Sequence, residues 1–144
     1  MPLSRTARVP EESTGPFEYL SLEDVLDIYC ELFDYTTQQA FDLLRDAGGL
    51  ESGLGRLRHW SHYEQADLAT QAAVLAHAVA EGQHFLEGNK RTGLVAMRTF
   101  LLLNGFDVKA SQEDMFSWIL GLSRRLTVRG LAQEIRRTLI RLED

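Results

Sequence analysis

The chain has 144 residues, 44% of them hydrophobic and 25% charged, and a formal net charge of −6. That length allows one domain with a real core, the composition is that of an ordinary globular protein, and the acidic balance argues against general nucleic-acid binding. The single cysteine, Cys30, excludes an internal disulfide and fits a reducing compartment. No stretch approaches the roughly 18 uninterrupted apolar residues of a membrane span, and no apolar leader precedes Phe17. A cytoplasmic protein with neither nucleic-acid nor membrane partners is expected.

In chain order, 1–18 reads as a flexible N-terminal tail, polar and carrying all three prolines, ahead of a domain over 19–144. Ser21 and Asp24 form a partial capping box, and Val25, Leu26, Tyr29 and Leu32 follow at helical spacing, which predicts a first helix over 22–32. Thr36 or Thr37 is expected to cap a second helix running to Asp46, with Ala40, Phe41, Leu43 and Leu44 facing inward and Gly48-Gly49 ending it. The stretch 50–60 is weakened by Gly53 and Gly55 and reads as a short helix or irregular segment, locally basic through Arg56, Arg58 and His59.

Next, 67–81 predicts a helix with Leu68, Ala72, Leu75 and Val79 on one stripe and alanines over much of the rest. So many small residues suit close packing on several sides. His77 lies within it and is assigned no role, and Gly82 is placed to stop it. A second buried helix is predicted over 89–103, with Leu94, Val95, Met97 and Phe100 to Leu103 leaving little polar surface, and Asn104-Gly105 ending it. Ser111 caps a helix over 112–122 that turns Met115, Phe116, Ile119 and Leu120 inward. Thr127 caps a last one through Leu142, built on Leu131, Ile135 and Leu139, with Arg129, Arg136, Arg137 and Arg141 solvated. No convincing alternation of a strand and no internal repeat is present. The expectation is an all-α bundle of six to seven helices.

The functional signal is the polar, glycine-containing stretch 82–92 between the two buried helices. Gly88-Asn89-Lys90-Arg91 opens the second of them, where the first backbone N–H groups lack intrahelical partners and the helix dipole is positive. Such an end is a site for phosphate. Gly88 allows close approach of a ligand to the backbone, Asn89 can cap the helix or donate to a phosphate, and Lys90 and Arg91 add a point charge and a bidentate fork. Glu87 is suited to a hard cation such as Mg²⁺ that takes its other ligands from phosphate oxygens. Phe85, the one large aromatic of the stretch, is expected to anchor it in the core.

These residues resemble the motif of the Fic/Doc proteins, His-x-Phe-x-(Asp/Glu)-(Gly/Ala)-Asn-x-Arg. Phe85, Glu87, Gly88, Asn89, Lys90, Arg91 and Thr92 match, in the form with Lys and Thr that is typical of the death-on-curing (Doc) branch. The similarity extends over 19–26, 49–54 and 100–106, and so covers about 19–137. One position departs from the pattern. Gln83 stands where the family has its catalytic His, and His84 stands in the following place, which is often Pro. An amide side chain takes no proton near neutral pH. His84 has the chemistry of a substitute base, but in an extended loop it points away from the direction of its neighbours.

The resemblance implies a compact helical fold with the motif loop between two central helices, and a transferase using ATP and Mg²⁺. Fic members transfer AMP to a protein hydroxyl, whereas Doc-like members bind the nucleotide in reverse and transfer the γ-phosphate. The Doc target is a threonine of elongation factor Tu. Lys90 and Leu94, the latter where many AMP-transferring members carry a second Arg, align this chain with Doc. The segment 53–63 corresponds to the flap that holds the target, and a small antitoxin with a disordered C-terminus is an implied partner. With Gln83 in the His position the expected activity is impaired. The alternatives are an inactive relative that binds nucleotide, antitoxin or target, and an AMP transferase.

Overall fold

A computed structural model describes residues 16–64 and 66–143, the side chains of 60–64 excepted. Among these residues the expected helical bundle is present. Its helices are α1 (Leu22–Phe33), α2 (Thr37–Leu43), α3 (Ala47–Glu64), α4 (Leu68–Glu81), α5 (Asn89–Leu103), α6 (Gln112–Gly121) and α7 (Val128–Thr138). The tail expected over 1–18 lies outside the described residues as far as 15. From Phe17 the chain is docked: the Phe17 ring meets Phe100 edge-on, and Glu18 exchanges two backbone hydrogen bonds with the Asn104 amide.

The middle of the molecule is α4, and its sequence explains why. Ala69, Ala72, Ala73, Ala76 and Ala80 are all buried, so neighbouring backbones can approach on several sides. Helices α3, α5 and α7 all pack on it. Helix α5 approaches closely at Gly93, where an added Cβ would lie 2.8 Å from the Ala80 Cβ. Around this axis Tyr29, Leu50, Phe85, Met97, Phe100, Ile119 and Ile135 fill the core. At the head of α4, Asp67 caps the helix through Thr70 N–H and receives a two-pronged hydrogen bond from Arg136 at 2.8 and 3.0 Å. Arg136 is therefore not one of the solvated arginines expected of α7; it ties α7 to the start of the central helix. Burial raises the Asp67 carboxyl pKa, but the bonds from Arg136 and Thr70 outweigh that and hold it below the ordinary value near 3.8.

Several boundaries differ from those read from the sequence. Helix α2 stops at Leu43 rather than Asp46, because the next residues turn to pair with the loop between α4 and α5. Gly48 and Gly49 do not end a helix; they lie in the first turn of α3, where Asp46 accepts from Gly49 N–H at 3.0 Å. The stretch expected to be short or irregular is an 18-residue helix. Phe41, expected inward, is 48% exposed, and Leu102, Leu103 and Leu120 are also open to solvent; Leu43, Leu44, Val95 and Phe116 are half-buried. The last helix ends at Thr138 instead of Leu142. Leu139–Arg141 forms a short strand, β2, antiparallel to β1 (Phe106–Val108), with Val108 opposite Leu139 and Phe106 opposite Arg141. No described helix is long and apolar enough to cross a membrane.

Candidate functional site

The loop between α4 and α5 is held from three sides, and each hold follows from a particular residue. Gly82 closes α4 in a right-handed conformation, and the left-handed turn follows at Gln83, at φ 57°. Gly82 is required for space: a Cβ there would sit 2.1 Å from His84 Nε2 and 2.4 Å from the Ala78 carbonyl oxygen. The segment after α2 then grips the loop like a short strand. Arg45 N–H donates to the His84 carbonyl at 2.8 Å, and Leu86 N–H donates to the Leu43 carbonyl at 2.9 Å. The Arg45 side chain donates to the Gln83 carbonyl at 3.1 Å.

Inside the loop, Phe85 is fully buried and stacks on Tyr29 with ring centroids 3.9 Å apart, as an anchor should. Asn89 has a different role from those expected. The N-cap is Gly88, and the Asn89 amide is spent on Phe85, accepting from its N–H at 3.0 Å and donating to its carbonyl at 2.9 Å. Both polar groups of a buried backbone residue are satisfied this way. Tyr29 Oη donates to the Glu87 carbonyl at 2.9 Å. Burial first, then the nearby Tyr35 and Glu87, push the Tyr29 hydroxyl pKa above its usual value, so the phenol stays protonated as a donor.

The polar residues divide into two groups. Gly88, at φ 81°, starts α5 with no side-chain cap, whereas Ser21, Thr36, Asp67, Ser111 and Thr127 each cap their own helices. The positive end of α5 is thus open for an anion. Beside it stand the exposed Glu87 and Arg91. Arg91 lies over the Phe33 ring, 5.6 Å from its centroid. Lys90 belongs to the same end but is ion-paired with Glu81 at 2.5 Å.

The second group is His84 with Asp46. His84 is buried, and its Nδ1 lies 3.2 Å from Asp46 Oδ2. The ring is turned to Asp46 and Gly82, while Glu87 and Arg91 meet the aromatic side chains of α1 and the residues just after it. Gln83 itself is exposed. The structure thus brings Glu87, Gly88 and Arg91 together and sets the His84 ring in a separate, enclosed place.

The Fic/DOC family model matches residues 19–101, more than half of the chain and all of the loop just described. The chain belongs to the Fic/DOC family. No curated protein matches it. The matched part of the Fic/DOC domain runs from the docked start of the chain through most of α5; β1, α6, α7 and β2 lie beyond it.

Fic proteins generally bind ATP with Mg²⁺, and the residues here fit such a group. Among the described residues no cluster of three or more His, Cys, Asp and Glu side chains converges on one point. A cation at Glu87 would therefore rely on phosphate oxygens and water for its remaining ligands, which is how Mg²⁺ usually binds at nucleotide sites. Sequence reasoning missed Tyr35, Phe33, Glu81, Asp46 and Arg45 as neighbours of the loop. Glu81 carried a signal: a carboxylate in the last turn of a helix opposes the dipole and calls for a cation. The other four are brought in by tertiary packing and left no local mark.

Proposed function

We propose that the protein binds a nucleotide with Mg²⁺ at the α4–α5 loop and that it is a Doc-like relative impaired in transferring phosphate to a protein hydroxyl. One observation carries this reading: the uncapped start of α5 lies between Glu87 and Arg91, while the position of the family base holds an exposed amide, Gln83. The backbone N–H groups of Asn89, Lys90 and Arg91, with the Lys90 and Arg91 side chains, would hold phosphate oxygens, and Glu87 the cation. ATP with Mg²⁺ supplies the phosphoryl group and offsets its charge when bound. A general base must reach the attacking hydroxyl within about 3 Å or through one water. The enclosure of His84 against Asp46 supports the reading that it does not serve as that base.

The Doc-like assignment rests on Lys90 and Leu94. Leu94 is buried and lines a surface cleft of about 460 Å³ together with Arg91, Leu32, Val95, Gln112, Glu113 and Phe116. Elongation factor Tu is the family target this reading carries over. The cleft beside Arg91 has apolar walls on which the disordered C-terminus of a small antitoxin could settle. The second reading, an inactive relative that works by binding alone, is favoured by the burial of His84.

Calorimetry with ATP and Mg²⁺ tests the binding half. Binding is expected, and Arg91→Ala is expected to weaken it by about 1.5–3 kcal/mol, the worth of a hydrogen bond to a charged group. Absence of binding, or indifference to Arg91→Ala and Lys90→Ala, would overturn it. For the chemistry, Gln83→His is the decisive variant. Labelled ATP should mark a lysate protein with Gln83→His and only weakly with the native chain. Strong labelling by the native chain that is abolished by His84→Ala would make His84 the base and refute impairment.

A further inference from the structure

The last turn of α1 and the residues that follow read Tyr29-Cys30-Glu31-Leu32-Phe33-Asp34-Tyr35. Tyr29 and Phe33 are four apart and share a face of the helix. Asp34 then turns left-handed, at φ 58°, and swings Tyr35 back beside them. Tyr29 and Phe33 lie with ring centroids 4.9 Å apart, and Tyr29 and Tyr35 5.8 Å apart. This cluster does more than bury the loop anchor. Tyr35 Oη donates to the Glu87 carboxylate, Oε2, at 3.4 Å. Phe33 lies so close to Gly88 that a Cβ there would be 2.7 Å from the ring, and the face of the same ring carries the Arg91 guanidinium. A guanidinium seated on a ring face keeps its in-plane donors free for an oxyanion. A carboxylate held through one oxygen presents the other to a cation.

Resting on the nucleotide-binding reading above, we propose that Tyr35 and Phe33 are positioning residues with separable tasks: Tyr35 sets the Glu87 carboxylate for the divalent cation, and Phe33 sets Arg91 for a nucleotide phosphate. The tasks are separable because the contacts are. Tyr35 bonds the carboxylate arm of the loop through a hydroxyl that can be removed without disturbing its ring, which lies 6.2 Å from that of Phe33. Phe33 touches the backbone at Gly88 and the guanidinium arm. Groups that hold a ligating side chain from behind commonly change metal affinity by about 10–100-fold when removed. At 3.4 Å the Tyr35 bond belongs at the low end of that range.

The test is ATP binding by calorimetry, with and without Mg²⁺, on the intact protein and on Tyr35→Phe, Phe33→Leu, Glu87→Gln and the double variant Tyr35→Phe/Glu87→Gln, each verified as folded by its thermal melt. Tyr35→Phe is expected to reduce the strengthening of ATP binding by Mg²⁺ about tenfold while leaving metal-free binding unchanged. Phe33→Leu is expected to weaken binding equally with and without Mg²⁺. Tyr35→Phe is expected to add nothing in the Glu87→Gln background. A Tyr35→Phe that weakens both conditions alike, that has no effect, or whose loss adds fully to that of Glu87→Gln overturns the proposal and leaves the nucleotide site standing. Failure of the intact protein to bind ATP with Mg²⁺ removes the site and this proposal together.

Discussion

At the scale of single residues, the loop separates groups that hold its shape from groups open to solvent, which the proposed reading gives to a ligand. Asn89 is the clearest of the first kind. Asn89→Ala would leave the Phe85 N–H and carbonyl buried and unpaired, which costs about 1–3 kcal/mol for each group. A loss of roughly 2–6 kcal/mol in urea unfolding is expected, larger than any effect Asn89 would have as an exposed phosphate contact. Glu81 acts in the opposite sense. It holds Lys90, so a phosphate must compete with it for that cation. Glu81→Gln should tighten ATP binding by about threefold, modest because the pair is partly screened by solvent; calorimetry at low and moderate salt checks both the direction and the screening. The identities of these residues were legible in the sequence, but their tasks were not. Asn89 was open to capping or phosphate binding because the backbone groups it serves, four residues earlier, are exposed as a need only once Phe85 is buried.

At the scale of elements, legibility followed the length and regularity of the pattern. The bounds expected for α5 agree with those observed, and α1 and α4 differ by a residue at one end, because each carries a long apolar stripe between clear end signals. The boundary between α2 and α3 went wrong for a definite reason. Gly48-Gly49 is a strong stop signal by itself, but Asp46 starts a helix just before it, and the backbone from Leu43 to Arg45 is used to clamp the loop. The strands β1 and β2 have three residues each, too few to show an alternation. Gly88 gives the sharpest element-scale test. It must adopt φ 81° and lie against Phe33, so Gly88→Ala meets both backbone strain and a clash. A loss of at least about 1–2 kcal/mol is expected, read as a fall in melting temperature together with lost nucleotide binding.

At the scale of the whole molecule, elements are fastened to one another by bidentate ion pairs: Arg136 with Asp67, between α7 and the distant head of α4, and Arg98 with Asp107, between α5 and the β1 that follows it. In both aspartates burial raises the pKa, and the hydrogen bonds from arginine and neighbouring groups more than offset it, so the net shift is downward. The sign of the pH effect follows. A carboxyl whose folded pKa is depressed contributes stability that is fully present above its unfolded value, near 3.8, and is lost as pH falls through the lower folded value. Stability should therefore decline below about pH 4, and Asp67→Asn should flatten part of that decline while lowering stability at neutral pH. Urea midpoints measured from pH 7 to pH 3 check it. The all-α class was legible from the sequence because α4 and α5 dominate the pattern, whereas the fastening of α7 by Arg136 was not, since an arginine on a polar helix face looks the same whether it meets water or a helix cap.

The clamp of residues 43–45 on the loop has one more consequence. The Leu86 amide is bonded to α2's last carbonyl, and the Phe85 amide to Asn89, in a stretch whose anchor ring is fully buried. The bonds tie α2, the loop and the start of α5 to one another, so these protons are expected to exchange through an opening that involves all three. Their exchange rates should follow the slow core of the molecule rather than its surface turns, and a nucleotide that needs the start of α5 in place would slow them further, since it binds the closed form and not the opened one.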